Sequence, residues 1–145
     1  MLKNYTSTVP VSRTISRIEE ILAESGAKAI GKNYEKGKLS SITFQIEMNG
    51  RDHLVRLPAN PEAVYNCLLK ETKRHRPGTL DRIKEQSERT AWKIQQDWLE
   101  IELTCIRLAQ KDPLEVFLAY IWDGSQTYYT ALKESKFKAL LPAPK

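Results

Sequence analysis

The chain has little of what marks membrane, secreted or disulfide-rich proteins. Its 145 residues include two cysteines and six glycines. No apolar run approaches the ~20 residues that cross a bilayer, and the first residues, MLKNYTSTVPVSRT, have no apolar stretch of the signal-peptide type. These absences predict a protein that is made and kept in the cytoplasm and has no membrane partner.

The two cysteines do not form the pattern of a metal site or of a disulfide scaffold. The sequence has no CxxC pair and no cluster of cysteine with histidine. Cys67 and Cys105 each fall among apolar residues of predicted helices. We therefore predict that both are reduced, buried thiols with a structural role.

Catalytic motifs are also scarce. GxSxG, HExxH and P-loop spacings are absent, and the glycines are too few for a glycine-rich phosphate cradle. His53 is predicted to be a structural residue of a hairpin. His75 lies between Arg74 and Arg76. We expect a protein that is not an enzyme and that needs no cofactor and no metal.

One short fragment resembles metal-dependent nucleases. Asp52 lies upstream of Glu71-Thr72-Lys73, which matches the aspartate and ExK pattern of that class. In those enzymes the ExK residues lie on a strand beside the aspartate, whereas Glu71 and Lys73 end a predicted helix here. Two matching residues also occur often by chance. A nuclease is therefore kept as the third alternative.

Apolar residues are sufficient for a hydrophobic core. They make up 41% of the chain, against 28% charged residues, over the length of one ordinary domain. Near the N-terminus, Val11, Ile15, Ile18 and Leu22 recur at spacings of three and four. This spacing predicts an amphipathic helix, and Gly26 fits the position just past its end.

Three antiparallel strands are predicted next. Residues 27–34 indicate the first, and EKGK forms a turn. In the second strand apolar and polar residues alternate, and Asn49-Gly50 is the preferred two-residue hairpin turn. Leu54 is the one apolar residue left on the polar face of the third strand. The turn predicts these pairs: Met48 with Arg51, Ile46 with His53, Phe44 with Val55, and Ile42 with Leu57.

The rest of the chain is predicted to be helical. Asn60 caps a second helix that Pro61 begins, and TKRHRPG ends it. A long helix follows from about residue 79 to 109, with a break near Ser87. Asp112 and Pro113 repeat the cap-then-proline pattern, and TYYTALKES indicates a last short helix.

These elements predict one α+β domain over residues 1–145. It consists of an N-terminal helix, a three-stranded antiparallel sheet and a helical C-terminal half around a central helix that contains tryptophan. Residues 1–58 hold the first helix and the sheet, residues 59–136 the helical part, and residues 137–145 a loose tail.

The central helix carries two tryptophans, Trp92 and Trp98, on different faces. We predict that both faces are packed, as in a helix at the centre of a domain. The alternative is that Trp92 stays partly exposed as a stacking platform for a base or a partner. One apolar stripe holds Ala91, Ile94, Trp98, Ile101, Cys105 and Leu108; the other holds Trp92, Leu99, Leu103 and Ile106. A polar stripe holds Lys93, Gln96, Asp97, Glu100, Thr104 and Arg107.

The net charge of +5 is concentrated in residues 70–84. This segment contains six basic residues and two acidic ones, Glu71 and Asp81, so its net charge is +4. We predict that these six contact phosphates of a nucleic acid or an acidic partner. The alternative is a solvated helix end, where cations also suit the helix dipole. The six are Lys70, Lys73, Arg74, Arg76, Arg82 and Lys84.

Two further predictions concern these cations. Lys70, Lys73 and Arg74 share one helical face if the second helix extends that far. A smaller basic set, with Lys36 and Lys38 as its site residues and Lys32 nearby, surrounds the first hairpin turn.

Four stretches of the chain resemble a set of small phage and prophage proteins. They are NYTSTVPVSRTISRIEEIL, RLPAN, AWKIQQDWLEIELTCI and EVFLAYIW, in that order. The resemblance implies a setting among phage genes for DNA recombination, for replication or for blocking host defences. It implies no catalytic residue. If the chain is phage-encoded, the cytoplasm in which we expect it is that of the host cell.

Two functions from different classes follow from these patterns. The first is a non-enzymatic phage-type binding protein that docks on nucleic acid or on a nucleoprotein complex through its basic surface. The second is an inhibitor of a host-defence protein, in the manner of anti-CRISPR proteins, that acts by protein–protein contact. Salt-sensitive binding to random DNA or RNA distinguishes the first from the second.

Overall fold

The N-terminal helix α1 spans Val11–Glu24 in a computed structural model that describes residues 2–140. Its apolar stripe faces the core, where Ile18 and Leu22 are buried. Gly26 has a φ of 97°, and the next amide, of Ala27, donates to the Leu22 carbonyl over 3.0 Å. This is the helix ending that glycine favours, so the predicted end of α1 is confirmed.

The three predicted strands form one antiparallel sheet in the order β1-β2-β3. They span Ala29–Glu35, Lys38–Met48 and Arg51–Pro58. Every predicted pair between β2 and β3 is present, from Met48 with Arg51 to Ile42 with Leu57. Asn49 and Gly50 both have positive φ, as the tight turn requires.

One face of the sheet carries the core and the other faces solvent. Phe44, Met48 and Val55 on the inner face are at most 1% exposed. They pack with the apolar faces of α1 and of the long helix α3, which spans Thr79–Arg107. Leu54, on the outer face, is exposed as predicted. The alternation of β2 therefore places its apolar side against the helices.

Helix α3 is continuous over 29 residues and about 44 Å, so the break predicted near Ser87 is wrong. The Ser87 hydroxyl donates to the carbonyl of Ile83, one turn earlier, over 2.6 Å. A buried serine that finds its acceptor within the helix need not interrupt it.

The two tryptophans of α3 make different packing contacts. Trp92 is 2% exposed and lies in the main core, which excludes the alternative of an exposed stacking platform. Trp98 is half-buried, and its ring meets Phe117 and Tyr120 edge-on at 6.0 and 5.7 Å. The prediction of two separate packing contacts is therefore confirmed for these two side chains.

The apolar stripe that runs from Ala91 to Leu108 is packed in its first part alone, which corrects the two-stripe prediction. Ile101 and Leu108 are 59% and 62% exposed, and Cys105 between them is half-buried. Helix α4 spans Pro113–Phe117 and ends at the Phe117 ring that meets Trp98. Cys67 is also half-buried, so neither thiol is fully enclosed.

The polar stripe of α3 also departs from the prediction at Gln96. This side chain is 8% exposed and lies between Trp92 and Leu99 on the buried face. Its amide donates to Glu100 over 3.2 Å, which satisfies one polar group without water.

The remaining helices are short. Helix α2 spans Pro61–Glu71, and the Asn60 side chain caps it by accepting from the Ala63 amide over 3.1 Å, as predicted. Asp112 precedes α4, but its side chain makes no capping bond. Helix α5 spans Tyr128–Glu134 and matches the last predicted helix.

The C-terminal end of the described chain is more ordered than predicted. Lys138–Leu140 form a turn of 3-10 helix within the predicted loose tail of residues 137–145. The rest of that tail, 141–145, lies outside the described residues. Between residues 2 and 140, we find no helix that is long and apolar enough to cross a membrane.

An N-terminal strap, residues 2–10, lies along α3 and was not predicted. The Asn4 amide donates to the carboxylate of Asp97 over 2.8 Å, and the buried Thr90 hydroxyl donates to the Asn4 carbonyl over 2.9 Å. Gln86 and Arg89 both donate to the carbonyl of Ser7. Polar side chains of α3 thus hold the start of the chain.

Candidate functional site

Helix α2 and the first part of α3, residues 79–88, form a helical hairpin that we call the arm. Helix α2 packs mainly on the first half of α3, and none of its residues is fully buried. Pro61 and Tyr65 line a cavity of about 330 Å³ together with Lys84 and Ser87. The start of α2 therefore lies beside the third turn of α3, and the tip of the arm, residues 72–78, is about 16 Å further on.

The tip has a defined turn. The Thr72 hydroxyl donates to the Leu68 carbonyl over 2.8 Å and closes the end of α2. The Arg76 amide donates to the Thr79 hydroxyl over 2.9 Å, and the Thr79 amide donates back to the Arg76 carbonyl over 3.0 Å. Gly78 between them has a φ of 83°, which glycine adopts without strain.

The six predicted basic residues lie at and beside this tip, with Lys84 the furthest from it, and we call them the basic connection. One ends α2, three follow it in the tip, and two lie in the first turns of α3. All six side chains are exposed, and within residues 2–140 none forms an ion pair with a carboxylate. The basic connection is Lys70, Lys73, Arg74, Arg76, Arg82 and Lys84.

One detail of the predicted surface is wrong. Helix α2 ends at Glu71, so Lys73 and Arg74 do not share a helical face with Lys70. The Thr72 backbone is extended, with a ψ of 111°, and proline and glycine follow at residues 77 and 78. Lys73 and Arg74 instead lie in the non-helical segment that follows α2.

The smaller basic set is not part of this surface. Lys32 pairs with Glu19 over 2.6 Å, and Lys38 pairs with Glu88 of α3. Lys38 and Glu88 line a cavity of about 440 Å³ beside the start of α2, at the opposite end of the arm from the tip. Lys36 is exposed in the β1–β2 turn, where its φ is 51°. Lys38 therefore connects the sheet to the arm. Lys36, the other site residue of this set, is exposed and forms no ion pair within residues 2–140.

The residues of the nuclease-like fragment have other local roles. Asp52 on β3 accepts from Lys28 over 2.9 Å, and this bond holds the pKa of the carboxyl below its usual value. Glu71 ends α2, and Lys73 lies in the tip of the arm. In the described part of the chain, no three histidine, cysteine, aspartate or glutamate side chains are grouped so that they could hold a metal ion.

A second polar feature was missed by sequence reasoning. Ile121 forms an antiparallel bridge with Val55, and the Trp122 amide donates to the Leu54 carbonyl over 2.8 Å. This pairing extends the edge of the sheet beside β3. The ring of Trp122 lies under the guanidinium of Arg56, 3.5 Å from the ring centroid. The alternation along β3 places Arg56 on the polar face, but the pairing with residue 121 has no local signal.

Comparisons of the chain with protein-family models, with curated proteins and with solved structures gave no match. The resemblance to small phage and prophage proteins stays a prediction from the four sequence stretches that carry it. The function is therefore inferred from the side chains of this chain.

Proposed function

We propose that the protein is a non-enzymatic binding protein that docks on the sugar–phosphate backbone of a nucleic acid, alone or in a nucleoprotein complex. The basic connection is the contact surface. The observation that carries the proposal is the absence of carboxylate partners, within residues 2–140, for six exposed cations at and beside the tip of the arm.

Unpaired cations favour phosphate binding for a thermodynamic reason. Basic side chains that contact phosphates displace the cations condensed on the nucleic acid, and the release of these counterions favours association. A lysine that is already paired, such as Lys38 with Glu88, must first give up its carboxylate. The basic connection has no such cost within the described residues, so its charge surplus is available to a partner.

The start of α3 adds to the positive character of the tip. Gly78 precedes the helix, and no side chain caps its first amides. Uncapped amides at a helix N-terminus suit phosphate oxygens and carry the positive end of the helix dipole. Asp81 in the first turn opposes this effect. The cations therefore carry most of the attraction.

The test is a salt titration of binding to unrelated DNA and RNA sequences. In the wild type, log affinity falls linearly with log salt, by about 0.9 per duplex phosphate neutralised or about 0.7 on single strands. Changing Lys73, Arg74 and Arg76 together to alanine lowers the affinity about equally for all sequences and reduces the slope. The side chains contact phosphates rather than bases, so no sequence preference is lost.

A matched control removes the same charge elsewhere. Changing Lys28, Lys32 and Lys111 together to alanine also lowers the net charge by three, but each of these lysines is paired with a carboxylate. If the basic connection is the site, this control retains the wild-type salt slope. Equal losses in both triple variants would show that net charge alone drives binding.

Two outcomes reject the proposal. No binding to DNA or RNA at low salt would remove nucleic acid as the partner. Cleavage that requires a divalent metal would restore the nuclease alternative.

A second candidate is the inhibitor of a host-defence protein. The observation that favours it is the exposed apolar surface of Ile101 and Leu108 on the last turns of α3, since contiguous exposed apolar residues mark protein contacts. The test is protection of a challenge phage in a restrictive host. If this surface is the contact, Ile101→Asp abolishes protection while the triple variant of the basic connection retains it.

A further inference from the structure

The outer face of the sheet holds Arg56 in a fixed position. Its Nε donates to the Thr43 hydroxyl over 3.1 Å, and its guanidinium lies 3.5 Å from the centroid of the Trp122 ring. The same Thr43 hydroxyl accepts from the Asn33 amide over 3.0 Å, and Asn33 also donates to Ser41. A row of hydrogen-bonded side chains across three strands therefore orients the half-buried arginine.

The terminal nitrogens of Arg56 are not used by this arrangement. Within residues 2–140, Arg56 forms no ion pair, and its Nε bond to Thr43 is its one side-chain hydrogen bond. Arg89, which is also half-buried, differs because its Nη2 donates to Gln86 over 2.7 Å and its Nε to the Ser7 carbonyl. Two nitrogens of Arg56 are thus left to meet an acceptor.

Arg56 lines a cavity of about 540 Å³ between β3 and residues 119–130. This volume is in the range of small-molecule sites, about 300–1,000 Å³. The aromatic walls are Tyr120, Trp122 and Tyr129, and Gln126 adds an amide. No carboxylate lines the cavity within the described residues; Asp123 lies close in sequence, but it accepts from Ser125 and Gln126 in its own loop.

These groups together define the ligand. A forked guanidinium binds two oxygens of one phosphate or carboxylate in parallel. Aromatic walls accept a planar ring, and an amide hydrogen-bonds the edge of such a ring. A ligand that satisfies all three carries an oxyanion on a planar, hydrogen-bonding body, as a nucleotide does.

We propose that this cavity binds a nucleoside monophosphate, with the phosphate on Arg56 and the base against the aromatic walls. Thr43 is a positioning residue that orients the guanidinium. The site shares no residue with the basic connection and does not depend on the function proposed for it.

The experiment is a titration of the full chain with the four ribonucleoside monophosphates, followed by tryptophan fluorescence and by the indole N–H resonance of Trp122. At least one monophosphate binds. Its nucleoside, inorganic phosphate and phenylacetate each bind at least about tenfold more weakly, because each lacks at least one of the recognised groups. Binding shifts the Trp122 resonance and leaves that of the buried Trp92 unchanged.

Three variants locate the phosphate contact. Arg56→Lys keeps the charge but loses the fork, and weakens the monophosphate at least about tenfold while it barely changes the nucleoside. Thr43→Val weakens the monophosphate by a smaller factor, since it removes the hydroxyl that accepts from Arg56. Arg51→Lys, the same change at an exposed arginine of β3 that belongs to neither site, leaves monophosphate binding unchanged.

Several results would overturn the proposal. The first is that inorganic phosphate or phenylacetate binds the protein as tightly as every monophosphate does. The second is that Arg56→Lys binds the monophosphate as tightly as the wild type. The third is that no monophosphate shifts the indole resonance of Trp122. The last measurement uses wild-type protein, so it decides the question even if a variant does not fold. If Arg56→Lys also lost binding to duplex nucleic acid, Arg56 would be part of the basic connection, which would contradict the claim that the two sites are independent.

Discussion

The two ends of α3 lie in different surroundings. From Thr90 to Leu103 the helix packs against the sheet and α1, and its charged side chains there are paired, as in Glu100 with Arg17. From Thr79 to Ser87 it packs against α2, and Arg82 and Lys84 reach solvent without an ion pair inside the described chain. Charges at the core end pair with other elements of the fold, whereas Arg82 and Lys84 at the arm end have no such pair among the described residues.

The apolar residues follow the same division. The core end buries Trp92 and Leu99 almost completely. The arm end buries Ile83 as its one large apolar side chain, and α2 buries none fully. A helix pair with so few enclosed apolar side chains opens at a lower free energy than a core does. We therefore expect the arm to be less stable than the core end of α3.

The largest effect is expected at the core end. Trp92→Ala removes a side chain that is 2% exposed and should lower the free energy of unfolding by about 3–5 kcal/mol. Trp98→Ala makes the same chemical change at a half-buried position and should cost clearly less. Urea unfolding of both variants gives the two values. Equal losses would contradict the burial difference that separates the two faces.

A smaller and local effect is expected in the arm. Asn60→Ala removes the cap of α2 and should cost about 1 kcal/mol. Amide exchange should accelerate in α2, while the amides of β2 in the same sample serve as the internal control. Uniform acceleration in both elements would show that the arm and the core unfold as one unit.

The sequence predicted correctly those parts of the fold at which two independent local patterns indicate the same structure. In the β2–β3 hairpin, the alternation and the Asn49-Gly50 turn each require the same register. At the start of α2, the cap and the proline agree. The break predicted near Ser87 is wrong because the sequence does not show that the Ser87 hydroxyl donates to the Ile83 carbonyl within the same helix.

Contacts between distant residues could not be predicted in this way. Periodicity places Ile101 and Leu108 on an apolar stripe, but it does not show that the described elements leave both side chains exposed. The charge surplus of the basic connection was visible in the sequence. The pairing of Lys38 with Glu88, fifty residues away, was not. The meeting of Arg56 with Trp122 likewise needs a bridge between separated segments.

A pH-dependent effect is expected where the strap meets the core end. Burial raises the pKa of Asp97, but hydrogen bonds from Asn4 and Lys93 outweigh it, so this pKa lies below its ordinary value. The stabilisation is present above the unfolded-state pKa of about 3.9 and is lost as the pH falls towards the folded-state value. The Asn4 side-chain amide resonance should therefore shift in acid. In Asp97→Asn this shift should be absent; an identical shift there would assign the titration to another group.

The smallest effect on stability is expected at the basic connection. Replacing Lys73, Arg74 and Arg76 by alanine breaks no ion pair within residues 2–140, so the free energy of unfolding should change by no more than about 0.5 kcal/mol. At low salt the free energy of unfolding should not fall, because like charges are removed.

The triple variant of Lys28, Lys32 and Lys111 should be the less stable of the two triple variants, because hydrogen bonds to Asp52, Glu19 and Glu102 raise the lysine pKa values. That stability is present below the unfolded-state lysine pKa and is lost as the pH rises through the folded-state values. Thermal melts of both triple variants at low and high salt measure the difference. A basic-connection variant that melts well below the control would mean that its cations hold the arm together, and the contrast between the two ends of α3 would fail.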